Sequence, residues 1–183
     1  MSLNNRYPKT CCFFTQHEKD AQSVRSAGFN NVRVLNETNN IDGITLIKTP
    51  GQHGSNHVLK EMKELLGDVS GIVFKHPDEK TLYIAGDTVW CRAVEDNLKK
   101  YNPDIIIVNS CDAKVIGDES IIMGKQDVFE VYKAAPSATV IASHMEAVNH
   151  ATVSRKEMRE FLHENGMTQR LLVPEDGESY NFA

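Results

Sequence analysis

Two histidines and one aspartate stand just after apolar segments that predict β-strands. They are His53, Asp87 and His144, and the strands are predicted at residues 44–48, 81–85 and 138–143. Imidazole nitrogens and a carboxylate are ligands that zinc and similar cations prefer. Strand ends hold such ligands rigidly, while the loops that follow leave room for a substrate. The pattern therefore predicts a metal-dependent site at the end of a sheet.

Each of these residues also has a simpler interpretation. A single histidine after a strand is commonly a hydrogen-bonded surface residue, and Gly86-Asp87-Thr88 is typical of a plain turn. Three such residues at the same kind of position favour a shared site. His57 follows His53 by four residues, a spacing that puts two ligands on one face of a helix. Because Gly54 lies between them, a helix there is disfavoured and His57 is only a secondary ligand candidate.

The composition bounds the class of protein. The chain has 183 residues, 40% of them hydrophobic, and a net charge of -5. That length predicts one domain, residues 1–183, with a real core. No run of Lys or Arg stands out, so nucleic acid is not the expected partner, and no segment predicts a membrane span or signal peptide.

Four cysteines lack the Cys-x-x-Cys spacing of a thiolate zinc site. Free thiols are the default in a reducing cytosol, so we expect a cytoplasmic protein. Cys111 could act as a nucleophile, but a buried thiol without a catalytic role is the favoured interpretation.

Hairpins early in the chain and strand–helix alternation later predict a layered α/β sandwich. We expect residues 36–43 to form a polar turn and the apolar run 104–109 to be a strand buried on both faces. Residues 56–66 have helical spacing, with Gly67 as the end of the helix. Ser154-Arg155-Lys156-Glu157 matches a capping box that begins a helix.

Three motifs together resemble the metallo-β-lactamase superfamily. They are Thr49-Pro50-Gly51-Gln52-His53-Gly54, Leu82-Tyr83-Ile84-Ala85-Gly86-Asp87-Thr88-Val89-Trp90 and Ser143-His144-Met145-Glu146-Ala147-Val148-Asn149-His150. The resemblance runs from about Pro8 to Phe182. It is greatest to stand-alone bacterial metal-dependent hydrolases, the group that includes ascorbate-6-phosphate-lactonase-like proteins. It implies an αββα sandwich with a two-metal site at one edge of its sheets.

The resemblance also implies roles for individual residues. His53 corresponds to the third histidine of the first metal site, Asp87 to the carboxylate that bridges both metals, and His144 to the last histidine of the second site. Glu146, Asn149 and His150 would lie at the pocket mouth and face the substrate. Glu146 or His150 would orient the substrate or move a proton. For Asn149 and His150, capping of the loop ahead of the Ser154 helix is an equal alternative.

The family signature His-x-His-x-Asp-His is absent, because no two of the seven histidines are separated by one residue. The chain is therefore expected to be an N-terminally incomplete form of the fold. His53 and Asp87 would serve one metal, and Asp87 and His144 the other. Two ligands each is one fewer than a catalytic zinc normally has, so we expect weak binding of metal.

The expected function is hydrolysis of a small ester, lactone or phosphorylated metabolite by a metal-bound hydroxide. The cofactor would be zinc or another divalent metal such as manganese or iron. The missing ligands leave open that the chain is inactive, and the alternative is a non-catalytic binding or scaffold domain derived from the same fold. Because missing strands would expose a sheet edge and an apolar face, we also expect a homodimer.

Overall fold

The computed structural model describes residues 7–146 and 148–182, which fold into eleven strands, five helices and connecting loops. The strands are β1 (Cys12–Thr15), β2 (Asn31–Val34), β3 (Thr38–Ile41), β4 (Ile44–Pro50), β5 (Ser70–His76), β6 (Glu79–Ile84), β7 (Ile105–Asn109), β8 (Lys114–Val115), β9 (Glu119–Ser120), β10 (Thr139–Ser143) and β11 (Leu171–Leu172). The helices are α1 (Glu18–Ser26), α2 (Asn56–Leu66), α3 (Arg92–Tyr101), α4 (Lys125–Ala134) and α5 (Arg155–Glu164).

The chain divides into two compact units, one ending at Asn39 and the other beginning at Asn40. In the first unit β1 and β2 pair in parallel, with α1 as the connection between them. Phe13 packs against the buried ring of Phe29 with 4.6 Å between ring centroids. The expectation of one domain over residues 1–183 stays a prediction.

The second unit is built on a seven-stranded sheet in the order β11-β10-β7-β6-β5-β4-β3, in which β3 crosses the boundary between the units. β6, β7, β10 and β11 are mutually parallel, whereas β5 is antiparallel to both β4 and β6. β4 consequently runs in the same direction as β6. The carboxyl ends of β4, β6, β7 and β10 therefore meet at one edge of the sheet, which is where the candidate ligands follow their strands.

One face of this sheet forms the core. A row of side chains from five neighbouring strands is fully or almost fully buried: Val73, Tyr83, Ile106, Val140 and Leu171. Apolar residues of α3, α4 and α5 belong to the same cluster, so these helices cover that face. The matching row on the opposite face is only half-buried: Ile72, Ile84, Ile107, Ile141 and Leu172.

That difference corrects one expectation about β7. Its run of isoleucine and valine predicts burial on both faces, but its exposure alternates, with Ile106 and Val108 buried and Ile105 and Ile107 half-buried. Helices pack on one side of the strand, and burial follows the pleat.

One further expectation about local structure was wrong, and one element was missed. Residues 36–43 are not only a polar turn, because β3 lies within them. The short hairpin of β8 and β9 was not predicted, since strands of two residues have no periodicity to detect. Both are polar segments whose strand conformation depends on pairing with a neighbour.

Helix starts followed their sequence signals. The Ser154 hydroxyl accepts a hydrogen bond from the Glu157 amide, and the Glu157 carboxylate accepts one from the Ser154 amide, so the predicted capping box is confirmed. Ser55 caps α2 by accepting from the Val58 amide. His53 therefore precedes the helix that contains His57. No helix within the described part of the chain is long and apolar enough to cross a membrane.

Candidate active site

A cavity of about 230 Å³ opens at the edge where β4, β6, β7 and β10 end. Four polar side chains line it: His53, Asp87, His144 and His150. Its other lining residues are apolar and come from the end of α2, the β8–β9 region and the loop after β10: Leu65, Leu66, Ala113, Ile121, Ile122 and Val148. The cavity therefore has one polar and one apolar group of lining residues. The structure brings the three predicted ligands, 91 residues apart at the extremes (144 − 53), to one cavity.

His53 carries the clearest sign of a missing partner. Its Nδ1 atom is buried and has no hydrogen-bond partner among the described residues. A buried polar atom without a partner costs free energy comparable to a lost hydrogen bond, so native proteins nearly always satisfy it. A cation would satisfy this nitrogen, which fits the chemistry predicted for His53.

Asp87 is held by its neighbour on the next strand. The Asn109 Nδ2 atom, at the end of β7, donates a hydrogen bond of 2.6 Å to Asp87 Oδ1. An ionised carboxylate accepts about four such interactions, so this bond orients Asp87 without saturating it. Asn109 was not predicted as a site residue. The signal was present, because it is the polar residue that ends the apolar run of β7.

The loop after β10 carries backbone strain. His144 has φ 69° and Glu146 has φ 62°, both in the left-handed region that costs residues with a Cβ about 1–3 kcal/mol. Such strain is concentrated at functional sites. His150 follows in the same loop, with 3.3 Å between its Nδ1 and the Asn149 Oδ1. The His150 carbonyl accepts a hydrogen bond from the Lys114 amide, so the loop is tied to the β8–β9 hairpin.

Glu146 and Asn149, which the family resemblance placed at the pocket mouth, are not among the residues lining this cavity. Glu146 lines a separate cavity of about 200 Å³ beside the start of α5. One of its carboxylate oxygens accepts from the Arg155 amide at 3.1 Å, and the other accepts from the Arg155 guanidinium. Glu146 thus anchors the loop to α5, and this geometry does not support a role in proton transfer.

His57 is likewise engaged away from the cavity. Its Nδ1 lies 2.6 Å from Glu119 Oε1, and the Ser55 hydroxyl donates to the other oxygen of Glu119. The hydrogen bond from Ser55, followed by that from His57, lowers the pKa of Glu119. His57 therefore links α2 to β9 and is not placed as a metal ligand.

Two further groups, Cys111 and Asp127, belong to segments that contact the loops of the site but do not line the cavity. Cys111 is 0% exposed, and burial raises the pKa of its thiol, which favours the unreactive protonated form. Burial also raises the pKa of Asp127, whose carboxylate accepts from the backbone amides of Trp90 and Gly124. Because Trp90 closes the loop that begins at Asp87, Asp127 ties that loop to α4. Sequence reasoning did not single out Asp127.

The donor types suit a divalent metal, but their number is small. Within residues 7–146 and 148–182, no three His, Cys, Asp or Glu side chains lie close enough to hold one ion. His53, Asp87 and His144 thus share a cavity without forming a closed coordination sphere. The unsatisfied nitrogen of His53 fits a metal, and the small ligand count fits weak binding by these residues.

Comparison with known proteins gives the family. No protein-family model matches the chain. The UPF0173 protein YddR of Bacillus subtilis (strain 168) is 51% identical over 178 residues, which cover 97% of this chain and 69% of that protein. The crystal structure of an isothiocyanate hydrolase from Delia radicum gut bacteria matches with a TM-score of 0.92 over 98% of this chain and 70% of that one. The two sequences are 46% identical.

Two further crystal structures are similar to this chain in fold. A possible metal-dependent hydrolase from Veillonella parvula DSM 2008 is 40% identical, with a TM-score of 0.93 over 96% of this chain and 68% of that one. The metallo-β-lactamase fold protein YhfI from Bacillus subtilis is 10% identical and matches with a TM-score of 0.67 over 97% of this chain and 68% of that one. The chain therefore has the metallo-β-lactamase fold and belongs to the UPF0173 family.

Proposed function

We propose that the protein is a metal-dependent hydrolase of small, uncharged electrophiles, with isothiocyanates as the first class to test. By family resemblance it is a hydrolase of the metallo-β-lactamase type that uses a divalent metal. The observation that carries the proposal is the cavity that brings His53, Asp87 and His144 together. A divalent metal bound there would supply a Lewis acid that makes water nucleophilic near neutral pH.

The lining of the cavity favours an uncharged substrate. Phosphate groups are normally recognised by Arg or Lys, and neither is among the residues that line this cavity in the described part of the chain. Its apolar residues, including Leu65 and Ile121, suit a small alkyl or aryl group. A volume of about 230 Å³ lies below the roughly 300–1,000 Å³ of drug-sized sites. We therefore favour an isothiocyanate, ester or lactone over a phosphorylated metabolite, and over the phosphorylated lactones suggested by the ascorbate-6-phosphate-lactonase-like group.

For an isothiocyanate the reaction balances as addition of one water. The water oxygen bonds to the central carbon while the nitrogen takes up one proton of that water, which gives a thiocarbamate. The second proton then passes to the same nitrogen as the carbon–nitrogen bond breaks, which releases the amine and carbonyl sulfide. His150 is the residue we assign to move the protons, because it lines the cavity and histidine is the side chain that most often transfers protons in enzymes. Asn109 would hold Asp87 in place through its 2.6 Å hydrogen bond.

The test uses the purified chain, stripped of metal by a chelator and reconstituted with excess zinc, manganese or iron(II). Benzyl isothiocyanate is the substrate, and release of benzylamine is the readout. We expect metal-dependent turnover that His53→Ala and Asp87→Asn abolish, whereas His163→Ala, an exposed histidine on α5, leaves it unchanged. Equal rates for the wild type and both site variants would overturn the proposal.

A non-catalytic domain that retained the fold is the second candidate, since no group of three ligands exists among the described residues. Zinc titration by calorimetry separates the two functions. We expect one weak site per chain. Metal binding without turnover of an isothiocyanate, ester or lactone would favour the binding or scaffold role, and two tight sites would show that further ligands take part.

The location and assembly of the protein are also proposals. Cytoplasmic location is supported by four free cysteines. A homodimer is supported by the half-buried apolar row on the face of the sheet that α3, α4 and α5 do not cover, which includes Ile84 and Ile107. A monomeric mass in light scattering at low micromolar concentration would refute the dimer.

A further inference from the structure

We propose that Thr88 is a positioning residue that fixes His53 relative to Asp87. The proposal rests on the function above, because it concerns the same site. It assigns a task to a residue that does not line the cavity and that would not itself bind metal or substrate. Thr88 is 0% exposed, although it lies in a loop between a strand and a helix.

Thr88 joins the two loops that carry the candidate ligands. The Gln52 amide, one residue before His53, donates a hydrogen bond of 2.8 Å to Thr88 Oγ1. In the opposite direction, the amide of Val89, the residue after Thr88, donates a hydrogen bond of 2.9 Å to the Gln52 carbonyl. The Thr88 hydroxyl in turn donates to the Val89 carbonyl at 2.9 Å, so its lone pairs face Gln52. Both backbone groups of Gln52 are therefore bonded to the loop of Asp87.

The close approach of the loops depends on Gly51. A Cβ built on Gly51 would lie 3.2 Å from both Cβ and Oγ1 of Thr88, which is tighter than ordinary van der Waals contact. Glycine thus lets the backbone of one loop pack directly against the side chain of the other. The hydrogen bond from Gln52 and this packing against Gly51 therefore both act on the side chain of Thr88.

The other tethers that we find hold each loop separately. Asn97, on α3, donates to the Pro50 carbonyl at 3.0 Å and so holds the loop of His53. Asn109 holds Asp87 itself, and Asp127 accepts from the Trp90 amide at the end of the same loop. Each of these bonds ties one loop to the body of the unit. Thr88 sets the spacing between the two loops.

Loss of the Thr88 hydroxyl should loosen that spacing. Removal of a residue that orients a metal ligand without binding the metal itself typically lowers metal affinity by about 10–100-fold. Thr88→Val keeps the β-branched shape but leaves the Gln52 amide without its acceptor. Thr88→Ser restores the acceptor and removes only a methyl group. Gly51→Ala keeps the hydroxyl and pushes the two loops apart by steric contact.

The experiment measures zinc affinity by calorimetry and amide hydrogen exchange at Gln52 and Val89 by NMR. Thr88→Val should weaken zinc binding about 10–100-fold and speed exchange of both amides. Thr88→Ser should stay within about threefold of wild type, and Gly51→Ala should weaken binding even if Thr88→Val fails to fold. Thr139→Val, at the opposite end of β10, is the control and should change neither readout.

The outcomes separate this proposal from the function on which it rests. If the wild type binds no zinc, the proposed function fails, while the exchange rates of the Gln52 and Val89 amides still test the link between the loops. Wild-type zinc affinity and exchange in Thr88→Val would overturn the positioning role. Equal losses in Thr88→Ser and Thr88→Val would also overturn it, because the hydroxyl would then not be the group that matters.

Discussion

Replacing Glu146 tests whether this residue anchors the loop after β10 to α5 or takes part in the chemistry of the cavity. The family resemblance places Glu146 at the pocket mouth as a residue that orients substrate or moves a proton. In the structure its carboxylate accepts from both the amide and the guanidinium of Arg155, at the first residue of α5. We predict that Glu146→Ala lowers stability and leaves the chemistry of the cavity intact.

The size of the loss follows from the two contacts. The Glu146 side chain is 45% exposed and that of Arg155 16%, and an ion pair of this kind contributes about 0–1 kcal/mol. A side-chain acceptor for a free amide at the start of a helix contributes about 0.5–2 kcal/mol. Arg155 also pairs with Asp176, so it does not become an unpaired charge. The free energy of unfolding should therefore fall by about 1–2 kcal/mol.

Urea denaturation and thermal melting measure this loss. For a chain of this size, about 1–2 kcal/mol corresponds to a fall in Tm of about 2–8 °C. The matched control is Glu160→Ala on the same helix, where the carboxylate is exposed and its pairing with Lys156 is 3.8 Å long. That variant should differ from wild type by less than about 0.5 kcal/mol.

Turnover of benzyl isothiocyanate decides between the two roles. Glu146→Ala should keep kcat within about twofold of wild type, whereas His150→Ala should lower it by about 10²-fold or more, as loss of a general acid or base does. A large loss of kcat in Glu146→Ala with unchanged stability would refute the anchoring role. It would restore Glu146 as a catalytic residue.

Three further predictions follow from the site. Asn109→Leu removes the hydrogen bond to Asp87 and should weaken zinc affinity about 10–100-fold in calorimetry, and an unchanged affinity would contradict the orienting role of Asn109. Burial raises the pKa of Asp127 in the folded state, so its contribution to stability is complete below the ordinary pKa of 3.8 and falls as the pH rises through the raised value. Urea denaturation from about pH 3 to about pH 7 should show this decrease in wild type but not in Asp127→Asn, and equal slopes would argue against it. Leu65 lines the cavity although its side chain is 78% exposed. Leu65→Lys should therefore change the free energy of unfolding by less than about 0.5 kcal/mol and yet lower kcat/KM for benzyl isothiocyanate. An unchanged kcat/KM would exclude Leu65 from contact with the substrate.

Local sequence signals predicted most elements of the second unit. Helix α5 begins where its capping box predicts, and α2 ends at Leu66 with Gly67 as its cap, whose φ of 70° suits glycine. These features depend on a few neighbouring residues, so the sequence alone contains them. β3 and the β8–β9 hairpin were missed, because these short polar segments have no apolar periodicity and become strands only by pairing with a neighbouring strand. The mixed α/β fold class was confirmed, and its family resemblance was visible in three short motifs.

By itself, the sequence determined which residues could act as ligands, because a histidine or aspartate after a strand has both the right chemistry and a rigid support. It could not determine which of the polar residues near His53 and His144 reach the cavity. His150 lines the cavity, whereas Glu146 is hydrogen-bonded to Arg155 and His57 to Glu119. Those choices depend on partners that are distant in sequence, such as Glu119 for His57. Only the tertiary structure decided which side chains meet. Parallel strands end at a common edge, and the loops that follow them are joined by the hydrogen bond from Gln52 to Thr88.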